Sequence, residues 1–423
     1  MVLDRSKAPE FNVPEDFELL PPLELKLSNG AKFFYIPTPG LEAVKIDVLC
    51  RGQRASLPLE QTLVSSFTLQ MLQEGSKTKT ASDIAEFYDF YASEVHPILT
   101  FSQEGLGLLS TKKHLNIVLQ EFISLFTEAT FPQDMLEKRQ SQRKLSIKLE
   151  KEKTASRASQ VFRKCLFGAH HPYGVEIKES HVESISRDHL VSYYNTMLWQ
   201  DLEIFVTGDF DSEELDTISK LLGELPNRRA VEPVLLPGVN SLSAVTEPRD
   251  KSVQSSIRIG NWSIPQNHPD FVALSVFNTI LGGYFGSRLV KNIREDKGHT
   301  YGIFSSLAEI GDSHYWVIAA DVQKEFYLNV IEEIYHEIRI LTEDGIKSDE
   351  LEVVRNYLIG QMLKQFSTSF DLIDRFKAVH HSGMNFDYYA QKLAFLKEFT
   401  SEDIKEVGKK YFSNPPFIEV VVG

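Results

Sequence analysis

Apolar and polar residues alternate with period two near the start of the chain. Leu23, Leu25 and Leu27 fall on one side of the pattern, Asn29-Gly30 supplies a hairpin turn, and Phe33 to Ile36 returns as a second strand. Val44, Ile46 and Val48 give another strand, and Val253, Ser255, Ile257 and Ile259 alternate in the same way further on. Elsewhere the period becomes helical: Phe326, Val330, Ile331, Ile334, Ile338 and Leu341 line one helix face. Strands followed by long helical stretches, twice over, predict an α+β fold. It has two homologous half-domains, each a mainly antiparallel sheet with helices packed on one side.

The halves echo each other at an offset of 215 residues. Asp134 and Asp349 each open a long helical stretch, and the segments Ser186 to Gly208 and Ser401 to Gly423 share a pattern. In both, a Ser-x-Asp helix start precedes a helix and then a short apolar strand ending in Gly. Two long segments in one register indicate duplication. Pro226, Pro233 and Pro237 with small polar residues mark the passage between halves. They place the first half-domain at 1–228, a linker at 229–246 and the second half-domain at 247–423.

Composition narrows the function classes. The chain has 423 residues, 42% apolar and 25% charged, which is ordinary for globular protein, and a formal net charge of −14. That balance argues against nucleic acid, whose phosphates require a basic face. No run reaches membrane-span length and the N-terminus has no apolar core of signal-peptide length, so a cytoplasmic protein is expected, or a periplasmic one had a signal sequence been removed. Cys50 and Cys165 match no metal spacing and read as two buried thiols, with one disulfide as the alternative. His170-His171 and His380-His381 read as packed or turn-capping pairs, because no further ligands stand at metal spacing. Trp199 and Trp262 read as core or interface residues.

The most informative chemistry lies in LGGYFGSRLVKNIREDKGHTYGIFSS, residues 281–306. Gly282, Gly283 and Gly286 lack the Lys of a phosphate loop and read as a turn bordering a substrate cavity. Arg294 and Tyr301 follow. A Tyr hydroxyl supported by an Arg can steady the charge that builds on a peptide carbonyl.

The duplicated halves, the His170-His171-Pro172-Tyr173-Gly174 element, the LGGxxxSR turn and the Arg294 to Tyr301 spacing together resemble the pitrilysin/insulinase family of zinc peptidases, in particular its processing-peptidase-like small subunits. In that family the Arg-Tyr pair comes from the second half-domain and completes a site whose zinc lies on an HxxEH helix with a distal Glu. Two His at i and i+4 bind the metal and the Glu activates its water. Aligned on Met71-Leu72 and Gly75, the five motif positions here are Ser66, Phe67, Thr68, Leu69 and Gln70. Both His are missing and Leu69 stands where the base belongs. The distal Glu should fall near 145–148, which reads Leu-Ser-Ile-Lys, with Glu150 close by. His336-Glu337 begins an HExxH that Ile340 ends.

The resemblance implies a non-zinc subunit of a heterodimeric metalloendopeptidase, inactive alone. It binds no cofactor itself, and zinc is expected on a homologous partner. Arg294 and Tyr301 would be its catalytic contribution, and Gly282, Gly283 and Gly286 would border the bound peptide. A homodimer is the alternative assembly when that partner is absent. A catalytically inert structural or peptide-binding member of the same fold is the alternative function.

Overall fold

A computed structural model describes residue 6 and residues 19–230, 244–413 and 415–423. Most of the expected linker, 231–243, lies outside the described residues. Its last three residues, 244–246, belong instead to a strand, because their backbone pairs with the C-terminal strand.

In the first half the elements run β1 (Leu23–Lys26), β2 (Lys32–Pro37), β3 (Ala43–Arg51), α1 (Val64–Met71), α2 (Ala81–Phe90), β4 (Glu94–Leu99), β5 (Gln103–Thr111), α3 (Leu115–Thr127), α4 (Gln133–Glu152), α5 (Thr154–Phe167), α6 (Glu179–Glu183), α7 (Arg187–Thr196), β6 (Glu203–Gly208) and α8 (Ser212–Leu222). The second half continues with β7 (Ala244–Glu247), β8 (Gln254–Trp262), α9 (Phe271–Asn278), β9 (Thr300–Ile310), β10 (Ser313–Gln323), α10 (Tyr327–Glu343), α11 (Ser348–Lys364), α12 (Ser369–His381), α13 (Asp387–Glu398), α14 (Ser401–Phe412) and β11 (Ile418–Val422).

The strand orders are β1-β2-β6-β3-β5-β4 and β7-β11-β8-β10-β9. Matching β2 with β7, β6 with β11, β3 with β8, β5 with β10 and β4 with β9 gives five strands the same order, so the duplication covers the second sheet and all of the first except its edge strand β1. In each sheet one pair is parallel, β2 with β6 and β11 with β7, and the rest are antiparallel. The helix starts differ in one detail. Ser186 caps α7, but α14 is capped by Thr400 rather than Ser401, whose hydroxyl instead accepts the Ile346 N–H at 2.9 Å. Val253 lies outside β8 and is exposed, while Ile257 and Ile259 are buried as the alternation predicts.

The central strands are apolar on both faces, and this decides the architecture. Along β2, Phe33 and Tyr35 point into the first-half core, while Phe34 and Ile36 join the core of the second half. Each sheet carries its own helices on one face. On its other face it receives a helix from the opposite half. Phe376 of α12 packs against Phe34 and Phe205 with ring centroids 5.2 and 6.2 Å apart. In the reciprocal contact, Ala158, Val161, Phe162 and Cys165 of α5 pack on Ile418, Val420 and Val422 of β11. Gly260 permits this approach, since a Cβ there would lie 2.7 Å from the Phe162 ring and 2.2 Å from the Trp316 carbonyl oxygen. Thr154 and Ser369, the first residues of α5 and α12, are 215 apart, so the exchange obeys the repeat.

Charged groups lock the seam between halves. Lys377 of α12 pairs with the buried Asp47 of β3 and lies 2.7 Å from Asp374, which also takes Lys45 at 2.7 Å. Burial works against the Lys377 charge, but Asp47 and Asp374 raise its pKa above the usual lysine value. Arg157 of α5 reaches Glu247 at 2.7 Å on the other side. Removing one partner of a buried pair strands the other charge, which typically costs about 3–5 kcal/mol. Lys45 stays 3.7 Å from Asp47, so Lys377→Met should lower the unfolding free energy by up to about that amount, measured by urea titration of the whole chain. A change under about 1 kcal/mol would mean Asp47 is not held by this contact.

Candidate functional site

The Gly-rich segment is built as two wide helical turns. α9 runs on through Thr279–Gly283, and a second turn spans Val290–Asp296. Asn278 ties the first turn to strand β9: its amide donates to the Ser305 carbonyl and its oxygen accepts the Ser305 hydroxyl at 2.6 Å. Gly282 is buried there, and a Cβ would sit 2.7 Å from the Ser305 nitrogen. Its absent side chain lets turn and strand touch, so Gly282 offers no surface to a peptide. Gly283 is exposed and Gly286 half-buried. Arg288 is an anchor, forked onto Glu350 at 2.9 and 3.1 Å and onto the Gly345 carbonyl.

The second turn closes onto β9 through the His299 N–H, which donates to the Ile293 carbonyl at 3.0 Å. That bond joins the backbone just before Arg294 to the backbone two residues before Tyr301. Ile293 is buried and Arg294 exposed, with its guanidinium 5.0 Å from the centre of the exposed Phe285 ring. Tyr301 is 90% exposed at the start of β9, an edge strand, and Phe304 three residues on is also exposed. Phe285 and Phe304 were not singled out from sequence. The available signal was that aromatics there match neither a helical nor a strand core period. Exposed aromatics beside an open sheet edge mark a binding surface.

α1 carries no metal site. The Ser66 hydroxyl donates to the Leu63 carbonyl at 2.9 Å, Leu69 is fully buried in the first-half core and Gln70 is exposed. The chemistry around its N-terminus is wrong for a cation. Arg54 hydrogen-bonds Thr62 just before the helix. Burial first, then the charges of Arg163 and Arg143, bring the Arg54 guanidinium down to about 10. Glu150, the carboxylate nearest the distal-Glu position, is taken by Arg143 at 2.6 Å and Ser146 at 2.8 Å. A zinc ion of the HxxEH kind does not fit these residues.

Beside α1 lies a buried carboxyl that the sequence did not reveal. Glu104 of β5 accepts from the Tyr193 hydroxyl at 2.5 Å, from the Gln53 N–H at 3.2 Å and from Ser65. Burial pushes its pKa up to about 7. Cys50 hydrogen-bonds the Glu104 carbonyl, and burial lifts its thiol to about 12, so it is inert. Cys50 and Cys165 are separate buried thiols. His171 packs on Phe167 at 5.0 Å and accepts the Tyr173 N–H, as a packed turn histidine.

His380 and His381 do more than pack. They end α12 at the seam, and their Nε2 atoms donate to the two oxygens of Glu203 on β6 at 2.9 and 2.8 Å. Lys32 adds a third contact at 2.9 Å. Burial opposes ionisation of Glu203, but these hydrogen bonds win and hold its pKa well below the usual carboxylate range. Glu203 lies 177 residues from His380, which is why sequence spacing could not join them.

Comparison with known proteins agrees with this architecture. The family model described as "Peptidase M16 inactive domain" matches residues 184–358. The chain is 24% identical over 338 residues to the "Uncharacterized zinc protease YmxG" of Bacillus subtilis, covering 79% of this chain and 82% of that one. It is 22% identical over 253 residues to the "Probable inactive metalloprotease YmfF" of the same organism, 56% and 57% of the two chains. A crystal structure of a peptidase M16 inactive domain from Pseudomonas fluorescens superposes with a TM-score of 0.83 at 21% identity, covering 95% of this chain and 98% of that one. These matches make the chain similar to the pitrilysin/insulinase-like (M16) zinc peptidases, through the inactive-domain model over residues 184–358 and through relatives and a fold that span most of its length. Among the described residues no helix is long and apolar enough to cross a membrane.

Glu104 generates a pH prediction. Its folded pKa near 7 lies above the ordinary 4.5, so between those values the folded state holds a proton that the unfolded state releases. Its contribution to stability is therefore greatest at or below pH ~4.5 and is lost as pH rises to ~7. Glu104→Gln should gain on the wild type by about 3 kcal/mol between pH 4.5 and 8. Denaturant titrations at the two pH values check this, and a constant gap would place the Glu104 pKa near its ordinary value.

Proposed function

We propose that this chain is the non-zinc subunit of a heterodimeric M16 metallopeptidase. A homologous partner carries the HxxEH zinc helix, and this chain supplies Arg294 and Tyr301 to the peptide. The observation that carries the reading is the contrast between two sites in one chain. The zinc-helix positions hold Ser66, Leu69 and Gln70, with the half-buried Arg54 bonded just before the helix, whereas Arg294 and Tyr301 stand exposed next to Phe285 and an edge strand. Among the described residues neither side chain has an ionic partner, which leaves both available to a peptide.

In this reading an extended peptide lies along the chamber wall between two such subunits, its backbone held by strand addition. The Tyr301 hydroxyl donates to the scissile carbonyl oxygen. Its hydrogen bond strengthens as charge develops on that oxygen, and the Arg294 guanidinium adds positive potential to the same atom. Gly283 and Gly286 keep the turn narrow enough for the peptide backbone to pass. The remaining chemistry, water activation at a zinc, belongs to the partner. We place this action in the cytoplasm.

The test is reconstitution with a zinc-bearing homologue and assay of peptide cleavage. Tyr301→Phe should lower kcat by about 10²–10³, with the heterodimer intact by size-exclusion chromatography. Wild-type kinetics in that variant would remove Tyr301 from the chemistry. Absence of any complex with such a homologue would leave the inert structural or peptide-binding reading in its place.

A further inference from the structure

We propose a second metal site, separate from the lost zinc helix: a divalent-cation clamp made by Glu203, His380 and His381 at the seam between the halves. Among the described residues these three form a group whose ligand atoms all lie within 4.8 Å of one another. Two imidazole nitrogens and a carboxylate are the donor set of many three-ligand zinc sites, which leave a fourth position for water.

The rings are held ready for this. His380 is packed against Phe34 at 4.8 Å and Phe376 at 5.4 Å, and His381 against Phe205 at 5.7 Å. Both Nε2 atoms already aim at one carboxylate, 2.9 and 2.8 Å away. A tetrahedral ion with ligand bonds of about 2.0–2.2 Å needs nitrogen-oxygen separations only about half an ångström longer. Such a shift is within reach of an exposed helix end. The ion would replace the two Nε2 protons, leaving each ring protonated at Nδ1. The Gln103 amide hydrogen-bonds His381 Nδ1. Turned about its last bond, it presents its oxygen to that new N–H, the usual support behind a metal-bound imidazole.

The surroundings also favour a cation. Glu203 and His381 line a cavity of about 820 Å³ between the halves, through which an ion and its water can enter. Five acidic side chains on that lining, Glu203 among them, outnumber three basic ones. The opposing group is Lys32, whose ammonium shares the Glu203 oxygen used by His380. Its side chain is 57% exposed, so it can swing into water when an ion takes its place. Softer divalent ions that favour imidazole, zinc foremost, match these ligands better than magnesium or calcium.

The ligands come from both halves, β6 of the first and α12 of the second, so the ion would staple the seam. Binding to the folded state alone would also raise thermal stability. The experiment uses the full chain, treated with chelator and dialysed, then titrated calorimetrically with zinc chloride. The expected result is saturable binding of one zinc per chain, with a rise in Tm. Glu203→Gln and His381→Asn, each checked for native circular dichroism, should weaken it at least tenfold. Ser66→Ala/Gln70→Ala, at the old zinc-helix positions, should leave it unchanged. Lys32→Met should tighten it by removing the competing ammonium. No saturable one-to-one binding in the wild type, or binding that both Glu203→Gln and His381→Asn leave intact, overturns the proposal.

Discussion

The central strands of both sheets bury apolar side chains on two faces, and the rest of the molecule depends on covering both. Helices within one half shield only one face. Phe34, Ile36 and Phe205 would otherwise face water, as would Ile418, Val420 and Val422. Exchanging α5 and α12 solves the problem twice by one symmetrical device. Neither half is then a complete folding unit, because each owes half of its sheet's cover to the other. The Asp47–Lys377 pair favours one register for this exchange, since a shifted α12 would leave the buried carboxylate with only Lys45, 3.7 Å away.

That constraint also sorts the polar chemistry. Side chains at the seam are used to join halves, which is where Glu203, His380 and His381 meet. Side chains around α1 have turned inward: Leu69 joins the core, and Arg54, Arg143 and Arg163 bring positive charge where a metalloenzyme keeps ligands. Among the described residues no strand pairs with the far edge of the second sheet, β9, and Tyr301 and Phe304 are exposed along it, with Phe285 and Arg294 on the adjoining turns. The fold thus keeps the packed α1 positions apart from the exposed Arg294 and Tyr301.

Much of this was legible before any coordinates. The 215-residue repeat, the two-sheet α+β class, the missing zinc ligands and the Arg294–Tyr301 element are local patterns, set by residues near one another in sequence. Gly282 shows the limit of such reading. Within LGGYFGSR all three glycines look alike, yet Gly282 serves contact with Ser305, 23 residues away, and only Gly283 and Gly286 remain at the surface. The histidine pair at 380–381 shows it again, for its partner lies in the other half.

By itself the sequence determined the periodicities, and so the elements, their duplication and the chemistry each motif could or could not perform. Side-chain spacing along a strand or helix is dictated by backbone geometry, so such features need no third dimension. Only the tertiary structure decided which half covers which sheet, which charges pair across the seam, and which distant donors converge on one carboxylate. Those outcomes depend on burial and on contacts between residues far apart in the chain, where the strength of an interaction is set by the medium around it as much as by the groups themselves.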